Sequence, residues 1–293
     1  MPRYHVTHRT HFRHGATATT AWQSLHLQPR HEAAQHCDSF ELEISPHPGD
    51  LAARIDFFGN KQHVFTLREP HRDLAITSRS LVRRDEPPAP MPGLTPALGE
   101  IRPLVARVVA TEDFTLEQFR HASPRVPLLP EARALAAGAG GDDTPVLAWL
   151  AALGAQFKVE FTFDPEATDI TTPLAEVLAH RHGVCQDFAH LFVSCLRQHG
   201  LPAAYVSGYL LTEPPPGQPR LEGADATHAW ISAFIPGTGW IDYDPTNACF
   251  VGTGHIVVAR GRDYSDVSPV KGVFNGGTHT LTTEVTVEPA GES

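Results

Sequence analysis

Long apolar runs are missing from this chain of 293 residues. Nowhere do 18 apolar residues follow one another, so no membrane-spanning helix is expected. The start, Met1-Pro2-Arg3-Tyr4-His5-Val6, lacks the apolar core of a secretory signal. Cysteine is scarce: Cys37, Cys185, Cys195 and Cys249 are too few and too scattered for a disulfide framework. A reducing, cytoplasmic setting is expected, which also keeps a thiolate active. Basic charge is short, 23 Lys and Arg against 33 Asp and Glu, a net of −10. The shortage is local. Residues 1–84 carry 11 basic against 8 acidic groups, and residues 85–293 carry 12 against 25. That acidic majority argues against nucleic acid as a partner. Apolar content of 41% suffices for packed cores in one to three domains.

What is present first reads as β-structure. Tyr4, Val6, His8, Thr10 and Phe12 alternate with His5, Thr7, Arg9, His11 and Arg13, the period of a strand. Arg54–Phe58, Gly59-Asn60 and Lys61–Leu67 read as a hairpin, and Asp73–Val82 as a further strand. Residues 1–84 are therefore expected to form a small all-β sandwich, packed separately and carrying no chemistry. Pro87, Pro88, Pro90, Pro92 and Pro96 then mark a linker, so residues 85–142 read as linker and helical segment. Residues 143–293 read as a catalytic core with a C-terminal strand at 280–287. Within it, Thr144 suits an N-cap and Pro145 a first helical position for a helix to Gln156. Ala203–Leu211 reads as a strand. The proline- and glycine-rich stretch 212–225 reads as a loop bordering a cleft.

The densest chemistry lies at His182-Gly183-Val184-Cys185-Gln186-Asp187-Phe188-Ala189-His190. Phe188, Leu191, Phe192, Cys195 and Leu196 make one apolar helical face, and Gly200 with Pro202 ends it. Cys185 thus sits at the first turn, where unpaired N–H groups and the helix dipole favour an anion. Such a position lowers a thiol from its usual pKa of about 8.5. Read alone, Cys185 is equally a small buried apolar residue. Cys195 fits that description better, and Cys249 has no base beside it in the sequence. Asp187 reads as a structural first-turn acid.

Two strands follow. Ala229, Ile231, Ala233 and Ile235 alternate with Trp230, Ser232 and Phe234; Pro236-Gly237-Thr238-Gly239 turns the chain; Trp240–Asp244 returns. His228 lies at the open end of this hairpin, and Asp242 and Asp244 share one face of the return strand. Cysteine, histidine and aspartate in this order suit a thiol nucleophile, its base and the base's orienter. Pairing Ile235 with Trp240 sets His228 opposite Asn247, so a bulge is required to bring Asp244 level, and Asn247 stays a second choice for the orienting role.

These motifs, Gly183–His190, His228-Ala229-Trp230 and Asp244-Pro245-Thr246-Asn247, resemble the bacterial transglutaminase-like superfamily, whose core is papain-like. Ala259–Val267 and the amino-terminal stretches Tyr4–Thr10, Leu27–Arg30 and Asp56–Asn60 are similar as well. The resemblance implies an α+β fold: an N-terminal all-β sandwich, then a core in which the Cys-bearing helix packs on an antiparallel sheet. It implies Cys185 as nucleophile, His228 as base and Asp244 as orienter. Papain's oxyanion glutamine, six residues before its cysteine, is here Ala179. That donor is absent, leaving the Cys185 N–H and an unidentified second group.

Eighteen histidines raise the question of a metal. His5 and His11 share a strand face but lie roughly 20 Å apart, too far to share an ion. His180, His182, Cys185 and His190 are better spaced, yet match no standard zinc motif. No metal and no cofactor is expected. Trp230 and Trp240 read as walls of a core or cleft, and Arg260, Arg262 and Asp263 as a surface charge network. The leading expectation is a cysteine-dependent acyl-transfer enzyme acting on peptide or glutamine-type amides of a peptide or protein substrate through a thioester, with hydrolysis or transfer to an amine, and without membrane or nucleic acid. The alternative is a non-catalytic peptide-binding module that retains the cleft.

Overall fold

The computed structural model describes residues 1–212 and 227–291; the cleft-bordering loop expected at 212–225 lies, but for Thr212, outside them. Strand β1 (Arg3–Ala18) is 16 residues long and turns Tyr4, Val6, His8, Thr10, Phe12 and His14 to one buried face. It is followed by β2 (Ala21–Leu25), β3 (Gln35–Ser45), β4 (Asp50–Ile55), β5 (Lys61–Leu67) and β6 (His71–Arg84). After the proline-rich crossover come α1 (Ile101–Thr111), α2 (Pro130–Ala136), α3 (Val146–Glu160), the short β7 (Thr162–Phe163), α4 (Leu174–His180) and β8 (His182–Gly183). The chain then forms α5 (Cys185–Gln198), β9 (Ala203–Leu210), β10 (Thr227–Ile235), β11 (Gly239–Asp244), β12 (Cys249–Phe250) and β13 (His255–Gly261). It ends with α6 (Tyr264–Val267), β14 (Val270–Phe274) and β15 (His279–Ala290).

One half is a five-stranded sheet in the order β12-β11-β10-β9-β13 with α5 packed against β10 and β9. The N-terminal half is a sandwich of two four-stranded sheets, β15-β1-β6-β3 and β14-β2-β5-β4. Phe12, Leu25, Leu27, Ile44, Phe65, Leu67, Leu74 and Ile76 fill its interior. The fold is thus the expected α+β arrangement.

The boundaries fall otherwise than the composition implied. Strands β14 and β15 follow the five-stranded sheet in sequence but pair with β2 and β1, so residues 270–290 complete the sandwich. Alternation in Thr280–Val287 revealed a strand; nothing in its pattern named the partner. Nor is the sandwich separately packed. At one end of β1, Tyr4 and Val6 join Val82, Val285 and Val287 in the same apolar cluster as Trp149, Phe192 and Tyr205. At the other end Phe12 belongs to the sandwich interior. One strand face therefore serves two cores.

A second seam is polar. Strand β13 is an edge of the five-stranded sheet, and its free backbone groups need partners. Gln35 donates through Nε2 to the Val257 carbonyl and accepts the Val257 N–H, each at 2.8 Å. Asn60 donates to the Arg260 carbonyl and accepts the Arg260 N–H, again at 2.8 Å. Two side-chain amides of the sandwich so take the place of a sixth strand. Arg260 lies at this seam, bridging Glu32 and Asp242, and Asp263 is fully buried as the N-cap of α6. Neither belongs to the surface network expected of them; Arg262 pairs locally with Asp266.

Helix α3 begins at Val146, and the Pro145 before it has no capping side chain; the Thr95 hydroxyl accepts the Leu147 N–H at 3.2 Å instead. The Val146 N–H is taken by the Pro96 carbonyl, so a crossover residue does the work expected of Thr144.

Candidate active site

Helix α5 starts at Cys185 because the turn before it is held from within. Asp187 Oδ2 accepts the Val184 N–H at 2.9 Å and the Thr168 hydroxyl at 2.6 Å. A Cβ at Gly183 would approach the Asp187 side chain to 2.9 Å, so the glycine lets the carboxylate close over the turn. Asp187 is buried, which pushes its carboxyl pKa up; its two donors oppose this. The structural role expected of it fits these contacts. Phe188 N–H makes the first intrahelical bond, to Val184. The preceding N–H groups at Cys185, Gln186 and Asp187 open the helix, where an oxyanion is favoured. Ala179, at the papain glutamine's position, is exposed on α4.

The hairpin register differs from the simple expectation. Ile235 pairs with Gly239 and Ile231 with Tyr243, so Pro236–Thr238 form a three-residue turn. No bulge is needed. Each donor on β10 reaches an acid diagonally: Trp230 Nε1 donates to Asp242 Oδ2 at 3.2 Å, and His228 Nε2 donates to Asp244 Oδ2 at 2.7 Å. Asp242 is thereby committed to Trp230 and Arg260. Asn247 does not replace Asp244 but donates to it, Nδ2 to Oδ2 at 2.7 Å. Trp230 is fully buried, and its indole lies across Gly208 of β9, where a Cβ would come within 2.3 Å of the ring. Trp240 is half-exposed against Phe119.

Asp244 is buried and has five donors. The backbone N–H groups of Thr246 and Asn247 bond Oδ1; His228, Asn247 and His255 bond Oδ2. Burial would raise its carboxyl, but the hydrogen bonds from His228 and His255, His228's charge and Asn247's bond hold it well below the usual range. For His228, burial would lower the imidazole. Its hydrogen bonds to Asp244 and Cys185 and the charges of both partners instead raise it to about 10. Cys185 thus lies close enough to His228 to act on its titration, and His228 is poised as an imidazolium beside it.

Cys195 and Cys249 are differently placed. Cys195 is fully buried, which pushes its thiol up. Cys249 pairs with Asp244 across β11 and β12; burial and that carboxylate push its thiol up as well. Both remain protonated and poorly nucleophilic.

His180, His182, Cys185 and His190 do not converge. His190 is buried against Tyr205 and accepts the Tyr264 N–H; burial lowers its imidazole to about 3. Among the described residues, the donor atoms close enough to share an ion are those of His228, Asp244 and His255. Their 2.7 and 3.1 Å separations and the saturated carboxylate are those of a hydrogen-bond network. Sequence reasoning missed His255. It stands 11 residues past Asp244, beyond a turn and a two-residue strand, and no periodicity links the two.

Beside the α5 entrance lies a cavity of about 200 Å3 bounded by Gln186, Asp187, His190, Arg125, Thr172 and Leu174. Among the described residues, no helix is long and apolar enough to cross a membrane.

Comparisons with known proteins match this architecture. Residues 4–83 match the bacterial transglutaminase-like N-terminal region, and residues 133–245 match the transglutaminase-like superfamily core. An uncharacterised protein of Mycobacterium tuberculosis is 40% identical over 298 residues, covering 98% of this chain and 92% of its own. A protein-glutamine gamma-glutamyltransferase of Pseudomonas aeruginosa is 34% identical over 121 residues, 40% of this chain and 18% of that one. The crystal structure of a candidate cysteine protease from Cytophaga hutchinsonii superposes with a TM-score of 0.78 at 18% identity, over 100% of this chain and 92% of its own; it shows the shared fold.

Proposed function

The chain belongs to the transglutaminase-like superfamily, and on that footing we propose that it is a cysteine-dependent acyl-transfer enzyme acting on amides of peptides or proteins. The observation that carries the reading is the part-buried His228, bonded to Asp244 at 2.7 Å and raised in pKa by both Asp244 and Cys185.

The Cys185 thiolate attacks the amide carbonyl, and the oxyanion faces the N–H groups that open α5. The C–N bond breaks as His228 gives its proton to the departing amine, leaving a thioester on Cys185. Water or a second amine then attacks. His228 takes the proton of that nucleophile, the C–S bond breaks, and the thiolate returns beside an imidazolium. Asp244 fixes the ring and its tautomer throughout. Hydrolysis is favoured over transfer, because water is abundant and, among the described residues, no amine-binding group marks the site. The cavity beside Gln186 offers room for a substrate side chain. We place the activity in the reducing cytoplasm, where Cys185 stays free.

The test is the intact mass of the protein after exposure to a peptide library, with and without a primary amine. An acyl adduct at Cys185 supports the reading, and amine-dependent loss of the adduct distinguishes transfer from hydrolysis. A Cys185 that forms no adduct and alkylates at an ordinary rate refutes it in favour of a binding module.

A further inference from the structure

His255 opens β13, the edge strand separated from β11 by β9 and β10. Its ring packs edge-on against Trp230 with centroids 5.3 Å apart, and that indole itself fills the space that Gly208 leaves free. From there its Nε2 lies 3.1 Å from Asp244 Oδ2, the oxygen that also receives His228. Only 8% of the His255 side chain is exposed, and none of Asp244's.

A carboxylate without solvent needs every donor it can have. His228 keeps its Nε2–H on Asp244, but its positive charge comes and goes as the other ring nitrogen takes and gives a proton in each turnover. The Thr246 and Asn247 N–H groups hold the far oxygen, Oδ1. Beside His228, the donors to Oδ2 are Asn247 and His255, and neither takes part in proton transfer. His255 is also the one whose strand is anchored to the sandwich, through Gln35 at Val257 and Asn60 at Arg260.

We infer that His255 is a positioning residue of this site, the standing second imidazole donor that keeps the buried Asp244 ionised and turned toward His228. The inference rests on the proposed acyl-transfer reading. It does not make His255 a catalytic residue, since Asp244 lies between it and the base. Among the described residues, the other titratable or charged groups around Asp244 include His228 on β10, Cys185 beyond it on α5, Tyr243 on β11, Cys249 on β12, and Lys158 of α3, whose ammonium donates to the Thr246 carbonyl.

The experiment titrates Asp244 by NMR in protein carrying 13C-labelled aspartate carboxyls, the signal assigned with Asp244→Asn. His255→Phe keeps a ring against Trp230 and removes the donor. Its Asp244 midpoint is expected to rise by about 1–2 pH units, the range for one lost hydrogen bond to a charged group. His255→Gln, which can present an N–H to the same oxygen, is expected to bring the midpoint back. An unmoved midpoint in folded His255→Phe, or a Gln variant no different from Phe, overturns the inference. Wild-type protein supplies a check that no variant's folding can spoil. Histidine 15N spectra should show a proton on His255 Nε2 at neutral pH, and an unprotonated Nε2 overturns the inference by itself. Iodoacetamide labelling of wild-type Cys185 stands apart from both: an ordinary rate there counts against the proposed activity, while the Asp244 titration still decides the role of His255.

Discussion

Replacing Gln35 by alanine strikes the seam between sandwich and catalytic sheet, and its cost follows from the contacts. Gln35 is fully buried. Its amide donates to the carbonyls of Arg30 and Val257 and accepts the Val257 N–H, all at 2.8 Å. In the variant the Val257 carbonyl keeps the Arg30 N–H at 3.0 Å. The Val257 N–H and the Arg30 carbonyl are orphaned. A buried orphan costs about 1–3 kcal/mol, and a water admitted at the seam recovers part of it, so a loss of about 2–4 kcal/mol is expected. Urea unfolding at neutral pH measures it as a lower midpoint at unchanged slope. Glu41→Ala, an exposed position on the same strand, serves as control and should change stability by less than about 0.5 kcal/mol. A Gln35→Ala loss as small as that of the control would refute the claim that side-chain amides close the edge of β13.

Four further outcomes are expected. Cys185→Ala should abolish adduct formation and turnover yet unfold like wild type, since no capping bond of α5 involves its side chain. Asp244→Asn should lower turnover by about 100-fold or more, the usual scale for disabling acid–base assistance; Asp242→Asn should lower it less, and a reversed order in steady-state assays would displace Asp244 as orienter. His228, with its folded pKa raised from 6.5 to about 10, contributes stability that is complete below about pH 6.5 and lost as pH rises through about 10. Unfolding free energies across that window should show this fall in wild type and lack it in His228→Ala. Removing residues 1–93 should yield a chain without cooperative unfolding, because Val285, Val287 and the β13 edge lose their partners; a folded fragment with fast Cys185 alkylation would contradict this.

Features set by short-range pattern were legible in the sequence. The apolar face from Phe188 to Leu196 places Cys185 at a helix start, and alternation around Ala229–Ile235 places His228 and the aspartates on one hairpin. Turn geometry was less so. One residue of difference in the turn after Ile235 moved the register, and diagonal reach made the expected bulge unnecessary. Partners across the chain were not legible at all. Gln35 and Asn60 carry no periodic signal, and their task exists only once β13 lies beside them. Arg260 and Asp263 looked like surface charge because burial is a tertiary property. The same holds for His255, whose approach to Asp244 depends on a glycine in β9 and an indole from β10.

The pairing of β1 with β15, in which Arg3 faces Ala290, sets a schedule for folding. Closing a loop of that length costs about 5 kcal/mol of chain entropy by the logarithmic rule, before any contact is rewarded. Pairings so distant along a chain form slowly. During synthesis on the ribosome the sandwich, although it holds the early strands, cannot complete its sheets until the latest ones have emerged. The thiol's helix and sheet are made in between, and they wait on the same closure for the strand face that covers them.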